Sequence, residues 1–322
     1  MSSRQRPSPS GLTLVEITLL RAVQECGASA GGPYAPSTAV LELVDARTGV
    51  GPRYAHRILV DLTAAWVRHL PLLDGEGNFG SVAGDQAAEP QYTQVRLSPV
   101  GELALASEQG AVGPLPLDLV EGSMYRGGGL PPFDPALTIR ALLAGAGSAG
   151  PPRTPTGTIT ADPTGPMRRQ GRWVQRYQLG AVIRSGGDRH ELVLTEPPYL
   201  VGTDLIVTNL QGRIEQALRA EQDPLPYAID MPSVVPPERV PVFDIADMTS
   251  GRTGTRIVLR VKEDVDIIDA ADWVRSVWPV TVHVDGGSYE ETYDRFALWG
   301  ELDKSGVRAL DELIHGGEPT PD

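Results

Sequence analysis

The apolar positions fall into helical spacing early in the chain and into alternating or short continuous runs later. Val15, Leu19, Ala22, Val23 and Cys26 share one helical face, and Thr13 with Glu16 forms a Thr-x-x-Glu capping box ahead of them. Gly27 supplies the stop, so the spacing predicts a helix of about four turns. A second helix is predicted over 37–45 after Pro36, and a third over 54–70 with Ile58, Leu59, Leu62, Trp66 and Leu70 along one side. Three short helices followed by extended segments predict a helix-turn-helix or winged-helix module. Residues 72–96 have no periodicity and carry turn chemistry at Asp74-Gly75-Glu76-Gly77-Asn78-Phe79-Gly80, which predicts a shaped loop. Asp134 and Pro135 predict a capped helix to Leu143.

A Gly, Ala and Pro rich stretch at 144–155 predicts a domain boundary near residue 150. Beyond it, 173–183, 191–195, 256–261 and 281–284 read as strands, with helices over 203–220 and 264–277 between them. The fold class is therefore α+β: a winged-helix domain over 11–150, then an α/β domain over 151–288. A tail at 1–10 precedes them, and a C-terminal helix and tail at 289–322 follow, the helix running over 289–314. The Pro-rich 224–241 segment is expected to be an insertion loop.

Charge narrows the range of partners. The 322-residue chain carries 28 basic and 41 acidic residues, a net charge of -13. A DNA binder gains most of its affinity by neutralising phosphates, so DNA contact is expected to be weak and salt-sensitive. Two basic clusters are the places for it. Residues 47–69 hold Arg47, Arg53, Arg57 and Arg68 against one aspartate, and residues 162–184 hold Arg168, Arg169, Arg172, Arg176 and Arg184 against one. Either cluster also reads as a solvated helix face or strand edge. Cys26 is the only cysteine, which excludes an internal disulfide and a zinc site of cysteine ligands. No apolar run reaches the ~20 residues of a membrane span, and the N-terminus lacks a secretory pattern, so a cytoplasmic location is expected. No Gly-rich loop has the spacing of a nucleotide-phosphate cradle.

The strongest motif is Leu72-Leu73-Asp74-Gly75-Glu76-Gly77-Asn78-Phe79-Gly80-Ser81, then Gly84-Asp85-Gln86-Ala87-Ala88, then Tyr92-Thr93-Gln94-Val95-Arg96-Leu97. It resembles the signature around the active-site tyrosine of the A subunits of DNA gyrase and topoisomerase IV. Leu130-Pro131-Pro132, Leu194-Thr195-Glu196-Pro197-Pro198-Tyr199 and Arg256-Ile257-Val258-Leu259 continue the resemblance in order. It implies a winged-helix DNA gate followed by a tower domain. It also implies Tyr92 as the nucleophile of DNA transesterification, with Asn78 and Arg96 as neighbouring DNA-binding residues. No cofactor is then expected in this chain itself, since Mg2+ and ATP would come through a separate partner, a gyrase or topoisomerase IV B-type subunit.

The sequence departs from the family at its cationic supports. Gln91 stands where an arginine would precede Tyr92, Thr13 to Thr18 replace a basic run on the first helix, and residues 47–53 replace a histidine motif. His56 lies near that motif but out of register. The stretch carrying a DNA-intercalating isoleucine is missing, with Met124 or Tyr125 as candidate substitutes. Asp264 and Asp266 form an Asp-x-Asp that reads more simply as a solvated strand end. No coiled-coil gate or β-propeller fits in the residues after 288, so a monomer or weak homodimer is expected. Two functions stay open: a subunit that cleaves DNA through Tyr92 beside a B-type partner, or an inactive module that binds DNA weakly or modulates a topoisomerase subunit. Tyr92 itself could also be a packed, hydrogen-bonded structural residue.

Overall fold

The computed structural model describes residues 8–126, 130–161, 167–169, 172–186, 190–222, 240–249, 254–277, 280–284 and 302–316, with backbone alone for 167–169, 172–176, 220–222, 277 and 280–284. Helix α1 (Leu14–Glu25) begins at the expected capping box: the Thr13 hydroxyl accepts from the Glu16 amide, and the Glu16 carboxylate accepts from the Thr13 amide at 2.7 Å. Cys26, which shares the spacing of the apolar face, is the exposed C-cap of this helix. Strand β1 (Ala35–Pro36) leads into α2 (Ser37–Thr48), and Gly49 in the left-handed region turns the chain into α3 (Pro52–Thr63). The third helix is shorter than predicted. Beyond Ala64 the amides of Val67 and Arg68 both donate to the Ala64 carbonyl, and the Leu72 amide donates back to Leu62. The apolar spacing runs on through this turn because Trp66 and Leu70 remain half-buried on its far side.

The predicted 72–96 loop is partly sheet. Strand β2 (Leu73–Glu76) pairs antiparallel with β3 (Gln94–Leu97), placing Leu73 opposite Leu97 and Asp74 opposite Arg96, and β1 completes a sheet of order β1-β3-β2. Asp-Gly-Glu is poor strand chemistry, so pairing to a better strand decides its conformation. The α+β class holds, and three short helices do precede the β2–β3 pair. Helix α4 (Pro99–Glu108) adds a fourth that the apolar spacing does not signal, although Ser98 caps it by accepting from the Gly101 amide at 3.0 Å and Pro99 opens it. After α5 (Leu117–Val120) and a 3-10 turn at Met124–Arg126, α6 (Pro135–Leu143) starts at Asp134 as predicted.

The elements up to α6 make up the first unit and those from β4 to β11 the second, whose described residues form two antiparallel sheets. One has the order β11-β6-β4, formed by β4 (Thr158–Ala161), β6 (Arg172–Gly180) and β11 (Val280–Val284), with β5 (Met167–Arg169) paired to β6. The other has the order β7-β8-β10-β9, formed by β7 (Val182–Ser185), β8 (Glu191–Glu196), β9 (Val242–Asp247) and β10 (Ile257–Val261). The single strand predicted over 173–183 is thus two strands, parted at Ala181 and serving different sheets. Helices α7 (Thr203–Gln222) and α8 (Ile267–Val277) pack Ile206, Leu210, Ile214, Ala270 and Val274 against the second of these sheets. Most of the expected 224–241 insertion lies outside the described residues.

Helix α9 (Ser305–His315) does not stand apart as a C-terminal appendage. Val307 and Leu310 belong to the core of the first unit, and the Gly113 amide donates to the Ser305 hydroxyl at 2.9 Å. The part of the predicted helix before residue 302 lies outside the described residues. No described helix is long and apolar enough to cross a membrane.

Candidate functional site

Tyr92 closes a 3-10 turn over Pro90–Tyr92, held by its own amide donating to Glu89 and by the Thr93 amide donating to Pro90. The next residue is anchored hard. Thr93 is buried, its carbonyl accepts from the Ser37 amide at 3.1 Å, and its hydroxyl donates to that of Ser37 at 2.9 Å. Gly77, at φ +107, packs so closely beneath that a Cβ there would lie 2.6 Å from the Tyr92 carbonyl oxygen. The backbone is fixed while the side chain stands out: Tyr92 is 70% exposed, with no hydrogen bond to its hydroxyl among the described residues. A packed structural tyrosine is therefore not what the fold holds here.

Asn78 shapes the neighbouring loop. Its side-chain oxygen accepts from the Gly80 amide at 2.8 Å and its carbonyl accepts from Ala88 at 2.9 Å, while Phe79 between them is buried. Apart from Arg68, the predicted arginines divide into three groups. Arg53 and Arg57 lie exposed on α3 with Tyr54 between them, opposite the inward face of Ala55, Leu59 and Leu62. Arg47 and Arg96 are engaged: Arg47 pairs with Glu25 at 2.9 Å, whereas Arg96 donates to Asp74 at 3.1 Å and to the Gly32 carbonyl at 3.0 Å, over the Tyr34 ring. Arg168 and Arg169 on β5 lie opposite Trp173 and Arg172 on β6, while Arg176, farther along β6, lies opposite His283 on β11, their side chains outside the described residues.

Arg68 corrects the sequence reading, for it is 1% exposed and cannot meet a phosphate. Its guanidinium donates to the Tyr125 hydroxyl at 2.7 Å and pairs at 3.3 Å with Glu16, which Arg126 also reaches at 2.9 Å. Burial works to raise the Glu16 pKa, but Arg126 and Arg68 together hold it below the usual carboxylate value. Burial pushes the Tyr125 hydroxyl up, and it pushes up Glu121, which accepts from the His69 and Leu70 amides. Tyr125, expected as a candidate DNA wedge, is a member of this cluster, and Met124 is buried beside Leu179 and Tyr199. A Glu on an otherwise apolar stretch of α1 is the signal in the sequence that a buried cation must exist.

His56 is half-buried on α3, and burial lowers its pKa against the opposing pull of Glu89. No group of three or more metal-ligating side chains gathers among the described residues.

A family described as DNA gyrase/topoisomerase IV, A subunit, matches residues 55–112, which run from α3 through the Tyr92 turn and past the end of α4. The chain is 30% identical over 297 residues to the DNA gyrase A subunit of Aminobacterium colombiense, covering 80% of this chain and 34% of that protein. It is 25% identical over 296 residues to the DNA gyrase A subunit of Staphylococcus epidermidis, covering 80% and 31%. Against the DNA topoisomerase 4 A subunit of Neisseria gonorrhoeae it is 36% identical over 104 residues, covering 32% and 14%. The chain thus spans about a third or less of the length of these relatives. By its motifs, and by similarity along four fifths of its own length, the chain is a gyrase A-like protein.

Proposed function

We propose that this chain is the DNA-gate part of a type IIA topoisomerase A subunit and that Tyr92 is its nucleophile. The observation that carries the reading is a phenol presented to solvent on an immobilised turn, inside the matched family segment. In the reaction the Tyr92 oxygen forms a bond to a DNA phosphorus, and the bond from that phosphorus to the 3′ oxygen breaks. The phenolic proton ends on the 3′ hydroxyl, and the 5′ end stays on the protein until the hydroxyl returns. A separate B-type subunit supplies ATP hydrolysis and Mg2+. Exposed Arg53 and Arg57 beside Tyr54 form the described cationic face for phosphate, and Asn78 keeps the supporting loop closed.

A second reading, an inactive module that binds DNA weakly or modulates a topoisomerase subunit, is favoured by one observation. Arg96 and Arg47 are tied to carboxylates and exposed Gln91 precedes Tyr92, so neither of those arginines is free to assist the phenol. The test that separates the two uses supercoiled plasmid, a B-type subunit, Mg2+ and ATP. Cleaved DNA carrying this protein on its 5′ ends is expected, and Tyr92→Phe should abolish it at unchanged DNA affinity. Linkage that persists in Tyr92→Phe, or none with any B-type subunit, sinks the nucleophile assignment.

A further inference from the structure

The Tyr92 loop is not supported by the first unit alone. Between Asn78 and Ala88, whose hydrogen bond closes the loop, the stretch from Ser81 to Gly84 leans on the start of α7 in the second unit. The amides of Thr203 and Asp204 donate to the carbonyls of Val82 and Ala83 at 3.3 and 3.2 Å. Gly84, at φ +105, fits so tightly that a Cβ would lie 2.6 Å from the Asp204 Oδ1. On the other side, a Cβ at Gly202 would lie 2.8 Å from the Ala83 carbonyl.

The segment that makes these contacts is pinned and strained. Buried Tyr199 donates its hydroxyl to the Val67 carbonyl in the first unit at 2.6 Å. Leu200 then adopts φ +64, the only described non-glycine residue in the left-handed region. A leucine is strained there and persists only where the surroundings impose it. Here the imposed bend delivers Gly202 to Asp204 onto the loop that leads into the Tyr92 turn.

We infer that the Tyr199–Asp204 segment is a positioning element for Tyr92: the second unit sets how the first unit presents its phenol. The catalytic consequence rests on the nucleophile assignment above, whereas the mechanical link does not. Tyr199, Leu200 and Asp204 touch no reacting atom and act through the 81–88 loop. The link also gives the second unit a direct means of governing strand cleavage, since any partner or DNA segment that shifts α7 shifts the loop with it.

The test places 3-fluorotyrosine at position 92 of the full chain and follows its 19F resonance. Tyr199→Phe and Gly84→Ala should each move the resonance and broaden it about twofold or more, as exchange between loop positions sets in. Arg219→Ala, on the same helix in an exposed pair with Glu215, should leave it unchanged. Tyr199→Phe is the milder change and keeps the test open if Gly84→Ala does not fold. An unaltered Tyr92 signal in a folded Tyr199→Phe or Gly84→Ala protein overturns the inference. With a competent B-type partner, the same variants should slow cleavage about tenfold at unchanged DNA affinity, because small misplacements of a reacting group cost rate and not binding. If wild type fails to cleave while the resonance responds, the nucleophile assignment falls and the link stands.

Discussion

Two clusters in the first unit use the same side-chain types to opposite ends. At Glu16, Arg68, Tyr125 and Arg126, carboxylate, guanidinium and phenol interlock, with Glu16 and Arg68 almost wholly out of solvent. At Tyr92 the phenol stands in solvent behind a neutral glutamine, and the nearest arginine along the chain, Arg96 on β3, is committed to Asp74. The contrast shows that arginine content along this chain does not measure a DNA surface. A guanidinium buried beside two carboxylates holds the fold, whereas one left exposed, as on the outside of α3, can meet a phosphate.

The comparison breaks most sharply at Arg68. Arg68→Met leaves Glu16 and Glu121 buried with less compensation and should cost about 3–5 kcal/mol in urea unfolding. Tyr92→Phe should leave the unfolding midpoint unchanged. Equal effects would erase the distinction between the clusters. Next in size, Gln91→Arg should raise strand cleavage about tenfold beside a competent B-type partner, since a cation next to the phenol stabilises phenolate and developing phosphate charge. No gain would mean that the turn does not present Tyr92 to the phosphate. Thr13→Ala removes the cap that also orients Glu16 and should cost about 1 kcal/mol, read from thermal unfolding.

The smallest effect concerns Asp61, which burial raises to about 6 despite Arg57 and Arg68, with Glu16 adding to the rise. Its folded pKa lies above the ordinary value of 3.8, so the native state holds the proton more tightly than the unfolded chain. The group therefore lowers stability as pH rises from about 4 through 6. Asp61→Asn should be more stable than wild type at about pH 7 and nearly equal to it at about pH 4, by paired denaturation curves. Partial exposure of the carboxylate keeps the difference small.

Much of this is legible in the sequence where a local rule and the tertiary structure agree. The Thr13 and Glu16 box, the Asp134 cap and the Tyr92 motif need no distant partner to be read. Helix α3 reads too long because half-buried Trp66 and Leu70 continue a helical spacing across a turn that hydrogen bonds to Ala64 and Leu62 define. Arg68 reads as a surface cation for a related reason: its partners Glu16 and Tyr125 lie 52 and 57 residues away, beyond any local pattern. The contacts of Thr203 and Asp204 with the 82–83 carbonyls are backbone bonds and leave no trace in side-chain type.

Gly306 on α9 packs against the carbonyls of Gly113 and Pro114, where a Cβ would lie 2.2 and 2.4 Å away, and Val307 and Leu310 fill the core that α4 and α6 also line. The second unit is therefore threaded between two pieces of one hydrophobic core. While the chain emerges from the ribosome, that core stays open along one side until residue 315 is clear of the exit tunnel, after the strands of the second unit have emerged. Helix α9 is thus the last piece to reach that core, and until it does the apolar side chains it covers face water.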